Sequence, residues 1–238
     1  MGWGYYNYKP KKTAAQQRND NAKKIDKFMK KNPNLSPISI EGRKIAKTWW
    51  GISWCKNLES YADYSNRIGR GSSYVRSGAV IDLQISEGTV TAMVNGTSLY
   101  KIHITIDPLS DSKWKTIVKN CAQRIESLSA LVEGKFPEEL SDILTKQGDG
   151  LFPSPREIHL DCSCPDWATM CKHVAAALYG VGARLDEDPL LFFSLRGVDP
   201  GELIQKSIEA KTKSMLANAN RKSKRAIPDK DVGRIFKV

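Results

Sequence analysis

From Val80 to Ile106, apolar side chains recur at every second residue. Ile81, Leu83 and Ile85 share one face, then Val90, Ala92 and Val94, then Tyr100, Ile102, Ile104 and Ile106. A period of two puts alternate side chains on one face of a strand. Glu87-Gly88 reads as a turn, and Asn95-Gly96 is a strong hairpin signal. The pattern predicts a three-stranded antiparallel meander with one buried face. His103 falls on the polar face with Lys101 and Thr105, which reads as solvated rather than catalytic.

Elsewhere the period is helical. Trp50, Trp54, Leu58 and Tyr61 are spaced four, four and three, which predicts a helix burying an aromatic face. Trp114, Ile117, Val118, Cys121, Ile125, Leu128 and Leu131 predict a long helix over 111–132, stopped by Gly134. A shorter helix follows Pro137, with Leu140, Ile143 and Leu144 on one side. Residues 188–195 read as a compact apolar helix, and Asp199-Pro200 starts another that runs to about Ala217. Near the start, residues 14–31 can form a helix ended by Pro33 and Pro37, but only Ala22, Ile25, Phe28 and Met29 are apolar. That stretch reads as an arm that orders on a partner. Residues 65–78, with three arginines, three glycines and Tyr74, read as a loop.

Charge changes this picture. The chain of 238 residues is 40% hydrophobic, enough for a core, and its net charge is +11. Residues 1–50 carry twelve Lys and Arg against three Asp and Glu, and residues 211–238 carry nine against two. Residues 51–210 hold sixteen basic groups against 21 acidic ones. Basic ends on an acidic middle are handles for nucleic acid or an acidic partner; the plainer alternative is a pair of solubilising tails. Arg67, Arg70 and Arg76 beside Tyr74 suit phosphate contact with base stacking, or else pair with the acidic middle. Lys172, and Arg221, Lys222, Lys224 and Arg225 in the tail, complete the candidate nucleic-acid contacts. The loop lacks the Gly-Lys-Ser/Thr of a phosphate loop. No apolar run reaches the about eighteen residues that span a membrane. The first residues lack the apolar core of a secretory signal, and Gly2 is not followed by Ser or Thr at position 6. A cytoplasmic protein without membrane attachment is expected, and five cysteines used mainly as a cluster fit a reducing compartment.

That cluster carries the chemistry. Cys162, Cys164, Cys171 and His173 read Cys-x-Cys, six residues, Cys-x-His. Three thiols and an imidazole make a closed tetrahedral set for Zn²⁺. Ile158, Leu160, Cys162 and Cys164 alternate as in a strand, so both thiols face one way. Val174-Ala175-Ala176-Ala177-Leu178 is strong helix-forming sequence, which puts Cys171 and His173 at a helix start where the dipole favours a thiolate. A Cys162–Cys164 disulfide would close a very tight ring. A catalytic cysteine needs a base and an open approach rather than a full shell of donors. Cys55 and Cys121 read as buried structural thiols. Asp161 and Asp166 flank the cluster as supporting or solvent-facing residues.

The Cys162 to His173 pattern resembles the SWIM zinc finger, in the form found in short bacterial proteins. Trp49-Trp50, Gly69-Arg70-Gly71, Tyr74, Arg76, Gly78, Pro108-Leu109, Trp114, Leu151-Phe152-Pro153, Asp188-Pro189 and Leu195-Arg196-Gly197 are similar to landmarks of that group. The likeness covers roughly residues 48–197 and leaves out both basic ends. It implies a strand-strand-helix module holding zinc on the four named residues. It also implies an accessory role beside Swi/Snf-class helicases, with no assigned reaction.

The fold expected is α+β: an antiparallel meander packed with helices, a small zinc finger and C-terminal helices. The expected divisions are a basic arm over 1–45, an α+β domain over 46–150, the finger and its following helix over 151–200, and a helix with a basic tail over 201–238. Function is expected to be binding of DNA or RNA, recruitment of a protein partner, or both. A pure protein adaptor using the finger as its docking module is the alternative. No His-Glu-x-x-His, Gly-x-Ser-x-Gly or Walker sequence is present, so no enzymatic activity is expected.

Overall fold

The computed structural model describes residues 12–60, 65–122, 124 and 138–219. The meander is as the alternation predicts: β1 (Val80–Ser86), β2 (Thr89–Asn95) and β3 (Leu99–Ile106). A fourth strand, β4 (Ile158–Cys162), extends it, and the order is β1-β2-β3-β4, antiparallel throughout. Leu83, Ala92, Ile102 and Cys162 stand opposite one another in turn across the sheet. They therefore form one row on the face that is buried in the meander. Gly88 adopts φ 60° in the first turn, a conformation that disfavours any side chain.

Helices α1 (Ala14–Met29), α2 (Trp49–Ser60) and α3 (Ser65–Arg76) precede the sheet, and α4 (Asp111–Ala122) follows β3. Trp114, Ile117, Val118 and Cys121 bury the expected stripe of α4. The predicted continuation through Ile125, Leu128, Leu131 and Gly134 lies outside the described residues, as does Tyr61. After Pro137 come a 3-10 turn (Glu138–Leu140) and the one-turn helix α5 (Ser141–Leu144), with Leu140 and Leu144 buried. Then α6 (Lys172–Glu187) leaves the metal-ligand cluster, α7 (Leu191–Ser194) makes a single turn, and α8 (Pro200–Ala219) packs on α4. The apolar run at 188–195 buries Phe192, Phe193 and Leu195 without forming a longer helix.

The hub is α6. Every residue from His173 to Gly182 is buried, the mark of a helix enclosed on all sides rather than one lying on a surface. It packs against all four strands and against α2 and α3. Its Ala175-Ala176-Ala177 and Gly180-Val181-Gly182 keep it thin enough for this. Trp54 Nε1 donates to Leu178 O at 2.8 Å, and Trp50 Nε1 to Leu185 O at 2.9 Å, fixing α2 along it.

One expectation fails here. Residues 65–78, read as a glycine-rich loop, are mostly the helix α3. Ile68, Gly71, Ser72 and Val75 are its buried stripe, spaced three, one and three as on one helical face. Glycine is a poor helix former, costing up to about 1 kcal/mol against alanine, but here contact overrides propensity. A Cβ on Gly71 would stand 2.5 Å from Ala175 Cβ and 2.9 Å from the Ala175 carbonyl carbon. The glycine is what lets α3 and α6 meet. Gly71→Ala is expected to lower stability by about 1–3 kcal/mol despite its better propensity, read as a shift in the urea midpoint. A stabilised variant would show that the two helices have room to spare.

The N-terminal stretch also forms a helix, but one docked by polar contacts. Thr13 and Gln16 cap α1 reciprocally. Its buried residue is Asn21, which donates to Ser77 O at 2.7 Å and accepts from Asn95 Nδ2 at 2.6 Å.

Candidate metal centre

The cluster sits where β4 ends and α6 begins. Ser163 continues the ladder beyond the strand: its N–H donates to Lys101 O at 3.0 Å, and Lys101 N–H donates to Ser163 Oγ at 2.9 Å. This holds Cys162 and Cys164 at the sheet's end. β4 thus pairs with β3 of the meander rather than with a second strand of the finger. On the far side, Cys171 is the N-cap of α6, with extended backbone, and its Sγ accepts from Val174 N–H at 3.5 Å. A cap position suits a thiolate, because the free N–H groups and the dipole both favour negative charge. His173 enters from the first turn. Tyr100 stacks on its ring, with centroids 4.2 Å apart, and Tyr74 meets it edge-on at 5.5 Å.

The four donor atoms lie within 4.8 Å of one another. His173 Nδ1 is 4.0 Å from Cys162 Sγ and 3.9 Å from Cys171 Sγ. A zinc tetrahedron with Zn–S about 2.3 Å and Zn–N about 2.05 Å sets sulfur and nitrogen about 3.6 Å apart. The donor set is therefore near closure, with Nδ1 as the imidazole donor, and the four residues fit zinc.

Electrostatics point the same way. Burial, aided by Lys172, pushes His173 down to about 4, so at neutral pH it is the neutral imidazole that a metal needs. Burial pushes the Cys162 and Cys171 thiols upward, and a dication supplies the charge that makes thiolates the favoured form there. His173 Nε2 is buried and has no hydrogen-bond partner among the described residues. It faces Gly96, where a Cβ would lie 3.0 Å away.

These four donors follow the SWIM pattern, and residues 145–181 match the SWIM zinc finger family model. The chain carries a SWIM zinc finger. It is also 39% identical over 163 residues to the uncharacterized protein Rv2102 of Mycobacterium tuberculosis, a match covering 67% of this chain and 58% of that protein. The chain thus spans less than two thirds of the length of that curated relative. No solved structure matches the chain significantly.

Around the SWIM finger the other sequence-predicted residues separate. Arg67 pairs with Asp166 of the finger, Nη2 donating to Oδ1 at 3.1 Å and Nε to Oδ2 at 3.4 Å. Asp166 Oδ1 also accepts from Ala168 N–H at 3.2 Å, and it is held below the usual carboxylate range chiefly by the Arg67 hydrogen bond. Asp166 therefore shapes the knuckle, whereas Asp161 is exposed. Arg70 is exposed on α3. Arg76 folds back on its own helix, donating to Ser72 O at 3.0 Å and Ser72 Oγ at 2.7 Å, and it also reaches Arg43 O. The three arginines are not one loop surface. Lys172 is half-buried in the first turn of α6, and Arg221, Lys222, Lys224 and Arg225 lie outside the described residues.

Cys55 and Cys121 are pushed up to about 12, mainly by burial, as befits unreactive packing thiols. No helix among the described residues is long and apolar enough to cross a membrane. Sequence reasoning missed Trp167, which stands 87% exposed in the knuckle between Cys164 and Cys171. An indole among metal ligands carries no sequence signal separating a buried from an exposed ring.

Proposed function

We propose that this protein is a zinc-stabilised, non-enzymatic accessory subunit that binds nucleic acid and serves a partner such as a Swi/Snf-class helicase. The observation that carries this reading is the closed Cys162, Cys164, Cys171, His173 set at the joint of sheet and hub helix. Four protein donors fill a zinc tetrahedron and suit a structural ion, not one that activates water. What the ion braces is a surface: the knuckle holds Arg67 of the basic helix α3 through Asp166. The net charge of +11 supplies attraction to phosphate.

The test is a titration against duplex DNA, single-stranded DNA and RNA at two salt concentrations. If some half-dozen phosphates are neutralised, affinity falls about 10³-fold between about 50 and 200 mM salt. Absence of binding at the lower salt, or affinity indifferent to salt, overturns the reading.

The acidic excess over residues 51–210, with exposed Ile208, Met215 and Leu216 on α8, favours a second reading as a protein adaptor. Deleting residues 1–11 and 220–238, which leaves Ile208, Met215 and Leu216 in place, separates the two: an adaptor keeps its protein partner while losing nucleic-acid affinity.

A further inference from the structure

We infer that Trp167 and helix α3 form a track for single-stranded nucleic acid. An unpaired base stacks on the Trp167 indole, and the backbone runs along α3 into a cationic cleft between α1 and α3. This rests on the nucleic-acid reading above and gives it a place on the molecule.

Trp167 is the most exposed large apolar side chain among the described residues, at 87%. Its loop does not leave it there by being loose. Ala168 and Met170, on either side of Thr169, are 7% and 6% exposed, and Cys164 and Cys171 bracket the segment. The backbone is anchored, and the one ring turned to water is the one whose burial would stabilise most. Beside it, the Arg67 guanidinium carbon lies 5.5 Å from the ring centroid, held there by Asp166. An indole with a fixed cation beside it is a stacking platform for a base, whatever its identity. Bases inside a duplex offer no free face to it, so the platform selects unpaired strands.

Arg70 follows Arg67 by three residues and so lies on the same side of α3. Gly69, Arg70 and Tyr74 form one wall of a 1030 Å³ cleft, and Lys23 and Lys24 of α1 form the facing wall. Lys24 Nζ donates to Asn95 Oδ1 at 2.8 Å, which steadies it at the cleft's edge. The acidic side chain lining the cleft is Asp20, which is paired with Lys12. The lining is therefore net positive. From Arg67 to Tyr74 the helix axis advances about 10 Å, so base platform and cationic cleft are contiguous.

The test uses the full-length zinc-loaded protein with fluorescein-labelled oligo(dT), oligo(U) and a mixed-sequence duplex. Trp167→Ala is expected to weaken single-strand binding roughly tenfold while leaving the melting temperature unchanged, and Trp167→Tyr to retain most of the affinity. The triple change Lys23→Gln, Lys24→Gln and Arg70→Gln is expected to reduce the slope of log affinity against log salt by about 2. Preference for oligo(dT) or for oligo(U) identifies which strand is taken, and either supports the track. If the wild-type protein binds no nucleic acid at low salt, the reading beneath fails and the track with it. If it binds but Trp167→Ala holds single strands as tightly as wild type, or the triple variant keeps the full salt slope, the track alone is wrong.

Discussion

Stripping the zinc with a chelator is expected to unfold the described body as a whole, not only the finger. Cys162 belongs to the row Leu83, Ala92, Ile102, Cys162 across the sheet. Cys171 and His173 start α6, which touches all four strands, α2 and α3. The ion therefore ties the last strand to the central helix. Structural zinc in small fingers binds with about 10–16 kcal/mol at neutral pH, whereas a domain's whole net stability is about 5–15 kcal/mol. Losing a term of that size at the hub leaves nothing to hold the rest. Cys164→Ser is expected to behave likewise, losing stoichiometric zinc and the cooperative melt seen by circular dichroism. Cys121→Ser, at a buried thiol outside the cluster, should cost only about 1 kcal/mol. Full zinc content in Cys164→Ser, or an unchanged melt after chelation, would contradict the ligand assignment.

Arg196→Met is expected to be the most damaging substitution away from the metal, at about 3–5 kcal/mol. Arg196 is 1% exposed. Its Nη1 donates to Asp107 O at 2.8 Å and its Nη2 to Glu157 Oε1 at 2.7 Å. Asp107 leaves β3, Glu157 precedes β4, and Arg196 follows α7. One guanidinium thus joins three segments, and methionine would fill its volume without satisfying the carbonyl or the carboxylate. The pair also sets an acid dependence. Burial by itself would raise Glu157, but Arg196 and Ser154 outweigh it and hold the carboxyl down at about 2. A depressed acid contributes stability that is present above its unfolded value, 4.5. That stability is lost as pH falls through about 2. In Arg196→Met the slope of stability against pH in that window is expected to flatten, and Glu157→Gln should flatten it too. A wild-type stability that does not fall between those two pH values would show that the ion pair contributes little.

The SWIM finger's ligands could be read from the chain because Cys162, Cys164, Cys171 and His173 are close in sequence and their spacing limits their geometry. Strand alternation did the same for β1 to β3, since a period of two records which face meets the core. The α3 region could not be read that way. Its glycines and serines argue locally for a loop, and only the backbone of α6 at Ala175 makes Gly71 a packing residue. The contacts of the arginines are likewise set by the fold. Arg76 folds back on Ser72, a partner four residues away that the helix creates, whereas Arg67 meets Asp166 of the finger, 99 residues along the chain.

By itself, then, the sequence determined the meander, the core stripe of α4 and the zinc donors, all of them consequences of short-range periodicity and spacing. Only the tertiary structure decided that β4 joins the sheet, that α3 is a helix, that Arg196 is buried as a three-way tie, and that Trp167 faces water beside Arg67. Each of those depends on residues far apart in the chain, whose contact free energies outweigh local preference and leave no periodic trace.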